Sequence, residues 1–230
     1  MRRQSAVPDQ ERPVKERPAK EKPAEPARPY HHGQLKKALV DAALELAEEV
    51  GAEGVTVREA ARRAGVSPGA PFRHFADREA LMTAVAAEAL RRFRHEVDAA
   101  LSGVPADEPL TRFRAIGLAY IRWALRNPAH FHIFSTSGLF DLERSAALKH
   151  DTAELIDMTG QALAEAASRG LLASGDTGLI QIAGRALVYG FARMVIDGHL
   201  PRWNVDPAEA PRIAEGIIDL FMGMIAKAER

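Results

Sequence analysis

Cysteine is absent from the 230-residue chain, so neither a disulfide framework nor a thiolate-ligated zinc site can form. Long apolar runs are wanting too: none reaches the roughly 18 residues that a membrane span needs, and no membrane association is expected. Arg2 and Arg3 stand at the N-terminus without an apolar segment behind them, so no secretory signal is expected and residence in the cytoplasm is. Excess charge is lacking, with 31 basic and 31 acidic residues. That argues against a general nucleic-acid coat protein, yet a sequence-reading protein needs positive potential on one face only. Enzyme signatures are missing as well: no HExxH, P-loop, GxGxxG or GxSxG occurs. His130 and His132 are a tight pair, but two helical positions apart they diverge by about 200° and would not share a metal. No catalytic residue, metal or cofactor is expected, and the chain does not read as an enzyme.

What the chain does contain is punctuated helix. Residues 1–29, rich in Pro, Lys, Arg, Glu and Ala, bury too little to offset ordering entropy and read as a disordered tail. From Tyr30 the character changes: Leu35, Leu39, Ala42, Leu46 and Val50 mark one face of an amphipathic helix that Gly51 ends. Thr56 with Glu59 forms a capping box, so a helix starts at Val57, and Gly65 supplies a turn. Ser67-Pro68 repeats the start signal, an N-cap followed by proline at the first helical position. Helix, glycine-containing turn and helix make a helix-turn-helix, whose second helix enters the DNA major groove. Local charge agrees: Arg58, Arg62, Arg63, Arg73 and Arg78 face only Glu59 and Asp77 within 56–78. Pro71 removes an early backbone donor from the second helix and, with Gly69 and Ala70, predicts a short reader with small side chains.

Asp77 caps a long connecting helix carrying Leu81, Val85, Phe93, Val97 and Leu101 on one stripe. Beyond it the spacing predicts helices over Leu110–Arg126, Asp141–Ser168 and Asp176–Ile196, with the last opened by Asp206-Pro207. The fold class is all-α, about nine helices. The division expected is a tail at 1–29, a three-helix DNA-binding head at 30–80 and a helical ligand-binding and dimerisation domain at 81–230. Apolar residues run nearly all round Asp176–Ile196, so that helix should be buried on both sides, with Gly184 and Gly190 letting backbones approach.

The stretch YHHGQLKKALVDAALELAEEVGAEGVTVREAARRAGVSPGAPFRHFADREAL resembles the DNA-binding head of the TetR family of bacterial transcriptional regulators. VYGFARMVIDGHL, Val188–Leu200, is similar to the WHG-type motif of one subgroup, with Tyr189 where a histidine is usual. The resemblance implies that Arg58, Gly69 and Ala70 face base edges. It also implies that Thr56, Pro68, Phe72, Arg73, His74 and Arg78 hold phosphates, which fix register without reading sequence. An arginine such as Arg58 can grip guanine O6 and N7, worth roughly 1–3 kcal/mol of discrimination. Arg62 and Arg63 read instead as a solvated face.

A cavity among residues 110–200 is the expected effector site, with Phe113, Tyr120, Trp123, Phe131, Phe134, Arg185 and Tyr189 as candidate walls. The partners expected are a double-stranded DNA operator of pseudo-palindromic sequence, a small apolar or aromatic effector, and a second copy in a homodimer. The function that follows is a ligand-responsive repressor. The alternative, a helical protein that only sequesters a small molecule, leaves the caps and arginines of 56–78 unexplained.

Overall fold

In a computed structural model, residues 32–136, 138–173 and 175–228 are described. The tail at 1–29 lies outside the described residues. These form eight α-helices and four 3₁₀ turns, with no strand among them and one isolated antiparallel bridge between Leu172 and Ala226.

Helix α1 spans His32–Val50, and Gly51, at a φ of +79°, turns the chain out of it. Leu39, Ala43 and Leu46 of α1 are buried, while Val50, expected on the same stripe, is exposed. Helix α2 is Val57–Arg63 and begins where its capping box predicts: the Glu59 amide donates to Thr56 Oγ1 at 3.1 Å. It ends in a Schellman turn. Gly65, at φ +69°, donates to the Arg62 carbonyl, and Val66 donates to that of Ala61.

The second helix expected from Ser67 is not an α-helix. The chain makes a bend and a single 3₁₀ turn over Pro71–Arg73. The reason is local. Pro71 cannot donate to the Ser67 carbonyl, which instead accepts from the Ala70 amide at 3.0 Å. Asp77 then caps the next helix through its contact with the Ala80 amide at 2.7 Å, leaving no room for a longer reader.

Helix α3, Arg78–Leu101, runs from the head into the rest of the protein and crosses the boundary expected at 80/81. Helix α4, Pro109–Arg126, is the central element of the C-terminal part and packs on α3. Asn127 closes it, with both amides donating to the Trp123 carbonyl, and Pro128 opens the short helix α5, Pro128–Ser135. Helix α6 is Ala146–Ser168, not Asp141–Ser168. Asp141 turns back on the Glu143 amide, and Ser145 provides the cap through the Leu148 amide. Helix α7 is Thr177–Ile196, capped by Asp176, and α8 is Ala210–Ile225 after a 3₁₀ turn over Pro207–Glu209. Helices α6, α7 and α8 surround α4.

Two expectations about α7 are corrected. It is buried on one side only, with Leu179 and Ile182 exposed, so within one chain its apolar circumference is half covered. At 20 residues and a mean hydropathy of 1.4, it is also long and apolar enough to cross a membrane by length and composition. It carries Arg185 and Arg193, packs against α4, α6 and α8, and has 28% of its apolar stretch buried within one chain. Gly184 admits a ring, not a backbone: an added Cβ would meet Phe113 at 3.0 Å. Around Gly190 there is open space.

The core is continuous from α1 to α8. At its centre an aromatic cluster joins three helices. Phe93 of α3 meets Tyr120 edge-on at 5.3 Å and Trp123 at 5.2 Å, and Phe134 of α5 lies 5.3 Å from Trp123.

Candidate functional site

Burial sorts the head's side chains into two groups. Val57, Ala60 and Ala61 of α2 face inward with Pro71 and Phe75, and α2 packs on α1. Thr56, Arg58, Pro68, Gly69, Phe72 and Arg73 are exposed, and Ala70 and His74 are half-buried. Gly69, Ala70 and Pro71 thus lie on one tight turn with small side chains, and Pro71 is buried beneath it.

The arginines do not share one role. Arg62 grips Glu59, one turn back on α2, through Nε at 3.0 Å. Arg63 pairs with Glu49 of α1 and lies 3.7 Å from Glu45. Each arginine holds its partner's carboxyl below the ordinary range. Arg78 is a staple: Nε donates to the Val55 carbonyl and Nη2 to that of Ala52, both at 2.8 Å. It ties the start of α3 to the α1–α2 connection, so these donors are directed at backbone. Arg58 and Arg73 have no ion pair or side-chain hydrogen bond among the described residues, and both are exposed. Two cations, Arg58 on α2 and Arg73 in the turn itself, are therefore uncommitted.

The second feature is a cavity of about 550 Å³ between α3, α4, α6, α7 and α8, within the range of small-molecule sites. Of the expected walls, Phe113, Tyr120, Phe134 and Arg185 line it. Trp123, Phe131 and Tyr189 do not: Trp123 and Phe131 are buried behind it in the aromatic cluster, and Tyr189 packs on Phe131 at 5.8 Å. The residues that α6 supplies to the wall were not among those named from the sequence. Leu148, Thr152, Leu155 and Thr159 recur at helical spacing, a legible stripe whose threonines disguise it as surface.

Polar groups in the cavity are few. Gln181 donates to the Ile156 carbonyl and to Thr159, each at 2.7 Å, and Arg114 is paired with Asp219 at 2.5 Å. Arg185 places its guanidinium carbon 4.5 Å from the centre of the Tyr120 ring and 5.6 Å from that of Tyr189. The Tyr120 hydroxyl is buried with no hydrogen-bond partner. Burial pushes its phenol up to about 12, against a pull from the nearby Arg185 charge, so it stays protonated at neutral pH.

The cavity and the head share α3. Leu90 and Phe93 line the cavity, while Arg78 at the helix start holds the head. Helix α5 makes a second bridge. His130 is buried with its Nε2 3.4 Å from Arg92, and His132 Nε2 lies 3.0 Å from Glu53 of the head. Burial lowers the His130 pKa, and the contact with His132 lowers that of Glu53.

Fold and site together define a helix-turn-helix regulator with a helical effector-type domain. A family model described as bacterial regulatory proteins, tetR family, matches residues 39–85, and one described as a tetracyclin repressor-like C-terminal domain matches 113–220. The chain belongs to the TetR family of bacterial transcriptional regulators. A stretch of 81 residues is similar, at 35% identity, to the HTH-type transcriptional regulator BetI of Escherichia coli. That match covers 35% of this chain and 42% of BetI. A solved structure of a protein of unknown function from Rhodococcus sp. RHA1 matches with a TM-score of 0.71 and 27% identity, covering 87% of this chain and all of the other. The ketosteroid transcriptional regulator KstR2 of Mycobacterium tuberculosis shares the fold at a TM-score of 0.61 and 18% identity, over 84% of this chain and 95% of KstR2. Regulators of this family are ligand-responsive DNA-binding proteins, typically dimeric, and not enzymes.

Proposed function

We propose that the chain is a cytoplasmic, homodimeric repressor that leaves a pseudo-palindromic operator when a small, largely apolar effector fills the cavity. The observation that carries this reading is the path of α3, whose first residue staples the head and whose middle forms cavity wall. An effector that prefers one arrangement of α3 shifts the spacing of two heads on adjacent major grooves, and operator affinity falls by that difference in preference. In the head, Arg58 is assigned to a base edge beside Gly69 and Ala70. Arg73 is assigned to phosphate with Thr56, Pro68, Phe72 and His74. The tail at 1–29, the head at 30–80 and the effector and dimer domain at 81–230 are kept as the functional division.

Dimerisation is supported by an unpartnered apolar face. Leu179 and Ile182 of α7 are 64% and 70% exposed, and Leu220 and Met224 of α8 are 67% and 70% exposed. These residues recur at helical spacing on two helices that pack side by side, as the two halves of a four-helix interface do. A salt titration of DNA binding tests the function. A phosphate-contacting reader loses affinity with a log–log slope of roughly 0.9 per neutralised phosphate. A protein that only sequesters a small molecule retains no DNA at any salt concentration.

A further inference from the structure

The cavity wall contains two arginines and no carboxylate. Arg114 is neutralised by Asp219, whereas Arg185 has no ion-pair partner among the described residues. One positive charge without an ion-pair partner, on an exposed side chain, therefore borders a chamber whose other polar side chains include Arg114, Thr152, Thr159 and Gln181. Beside it lies the Tyr120 hydroxyl, in a residue 96% buried by its 4% exposure, with its hydrogen-bond capacity unspent. Buried polar groups are ordinarily satisfied, so an orphaned donor on a residue that lines the cavity signals a missing acceptor.

Resting on the reading of this cavity as the effector site, we propose that the effector is an apolar or aromatic monocarboxylic acid whose carboxylate is received by Arg185 and Tyr120. The chemistry fits in charge, geometry and depth. One guanidinium balances one negative charge, which suits a carboxylate better than a phosphate dianion. A planar guanidinium presents a fork of donors that a carboxylate accepts side by side, and a protonated phenol adds a short charge-assisted bond. Stacking on the Tyr120 and Tyr189 rings limits the rotamers of Arg185, so less freedom is lost when the acid docks. Phe113, Phe134, Leu148 and Phe221 then enclose the apolar body.

The test is calorimetric titration of the full chain with two acids, decanoate and naphthoate, beside their neutral counterparts decanol and naphthalenemethanol. At neutral pH at least one acid should bind at least about tenfold more tightly than its alcohol. Arg185→Met, which keeps the aliphatic stem, and Tyr120→Phe should each erase most of that preference while leaving alcohol binding unchanged. Retained alcohol binding shows that each variant is folded. Equal affinity for acid and alcohol would overturn the carboxylate assignment and leave the cavity standing as an apolar effector site. An acid preference that survives both substitutions would overturn it too. If none of the four compounds bound, both the carboxylate assignment and the reading of the cavity would fall.

Discussion

Arg73 and Arg78 lie on the same short stretch and carry the same charge, but their surroundings give them different work. Arg78 spends Nε and Nη2 on the carbonyls of Val55 and Ala52, whereas Arg73 is exposed and uncommitted. Charge-assisted hydrogen bonds to a partly buried group are worth about 1.5–3 kcal/mol when broken. Arg78→Ala should therefore lower the stability of the protein by about 2 kcal/mol in denaturant unfolding. Arg73→Ala should leave the unfolding midpoint unchanged and weaken DNA binding evenly across sequences. A reversed pattern, with Arg73→Ala unstable and Arg78→Ala stable but unable to bind, would refute the division. From the sequence alone the two were alike, because nothing local to Arg78 shows that the α1–α2 connection folds back beneath it.

Among elements, the helix starts were the most legible part of the chain, because a cap is a rule about neighbours three residues apart. Thr56, Asp77 and Asp176 each accept the amide their position predicts. Ser67-Pro68 carries the same signal and opens no α-helix, since Pro71 withholds the next donor and the cap at Asp77 follows closely. Cavity walls were legible only in part. Aromatic side chains announce burial but not which side of a helix they close. Hence Phe113 and Phe134 reach the chamber, while Trp123 and Phe131 pack behind it. The junction between α3 and the head also includes ion pairs, which sequence spacing shows only within a helix. Glu88 accepts from Arg91 and Arg92 on α3, and Arg92 reaches across to Asp41 of α1 at 2.7 Å. These contacts bring the Glu88 carboxyl from 4.5 down to about 2, with the Arg91 hydrogen bond the largest cause. Because the folded pKa is depressed, the stabilisation is fully present above pH 4.5 and is lost as pH falls toward 2. Glu88→Gln should flatten the acid limb of the stability profile across that window. An unchanged slope there would show that Glu88 is not linked to folding.

For the whole molecule, the one-sided burial of α7 and α8 is the feature a single chain leaves unresolved. Two apolar helices that expose Ile182 and Leu220 gain by meeting a second copy of themselves, and a two-fold partner covers both at once. Ile182→Glu should convert a dimer into a monomer in sedimentation equilibrium without loss of helical content. A wild-type protein that sediments as a monomer at the same concentration would remove the basis for a two-fold operator. A dimer matters because one head, with its single reading turn, has little to specify a site. On the proposed assignment Ala70 offers a methyl and Arg58 one forked grip, so discrimination has to be doubled by symmetry and supplemented by DNA shape. Selection of bound duplexes from random sequence by the full-length protein tests this most directly. Enrichment of a two-fold symmetric motif, with half-sites about a helical turn or more apart, is the predicted result. Recovery of no motif, or of a single unsymmetrical half-site, would contradict the account of this chain as a dimeric operator-reading repressor.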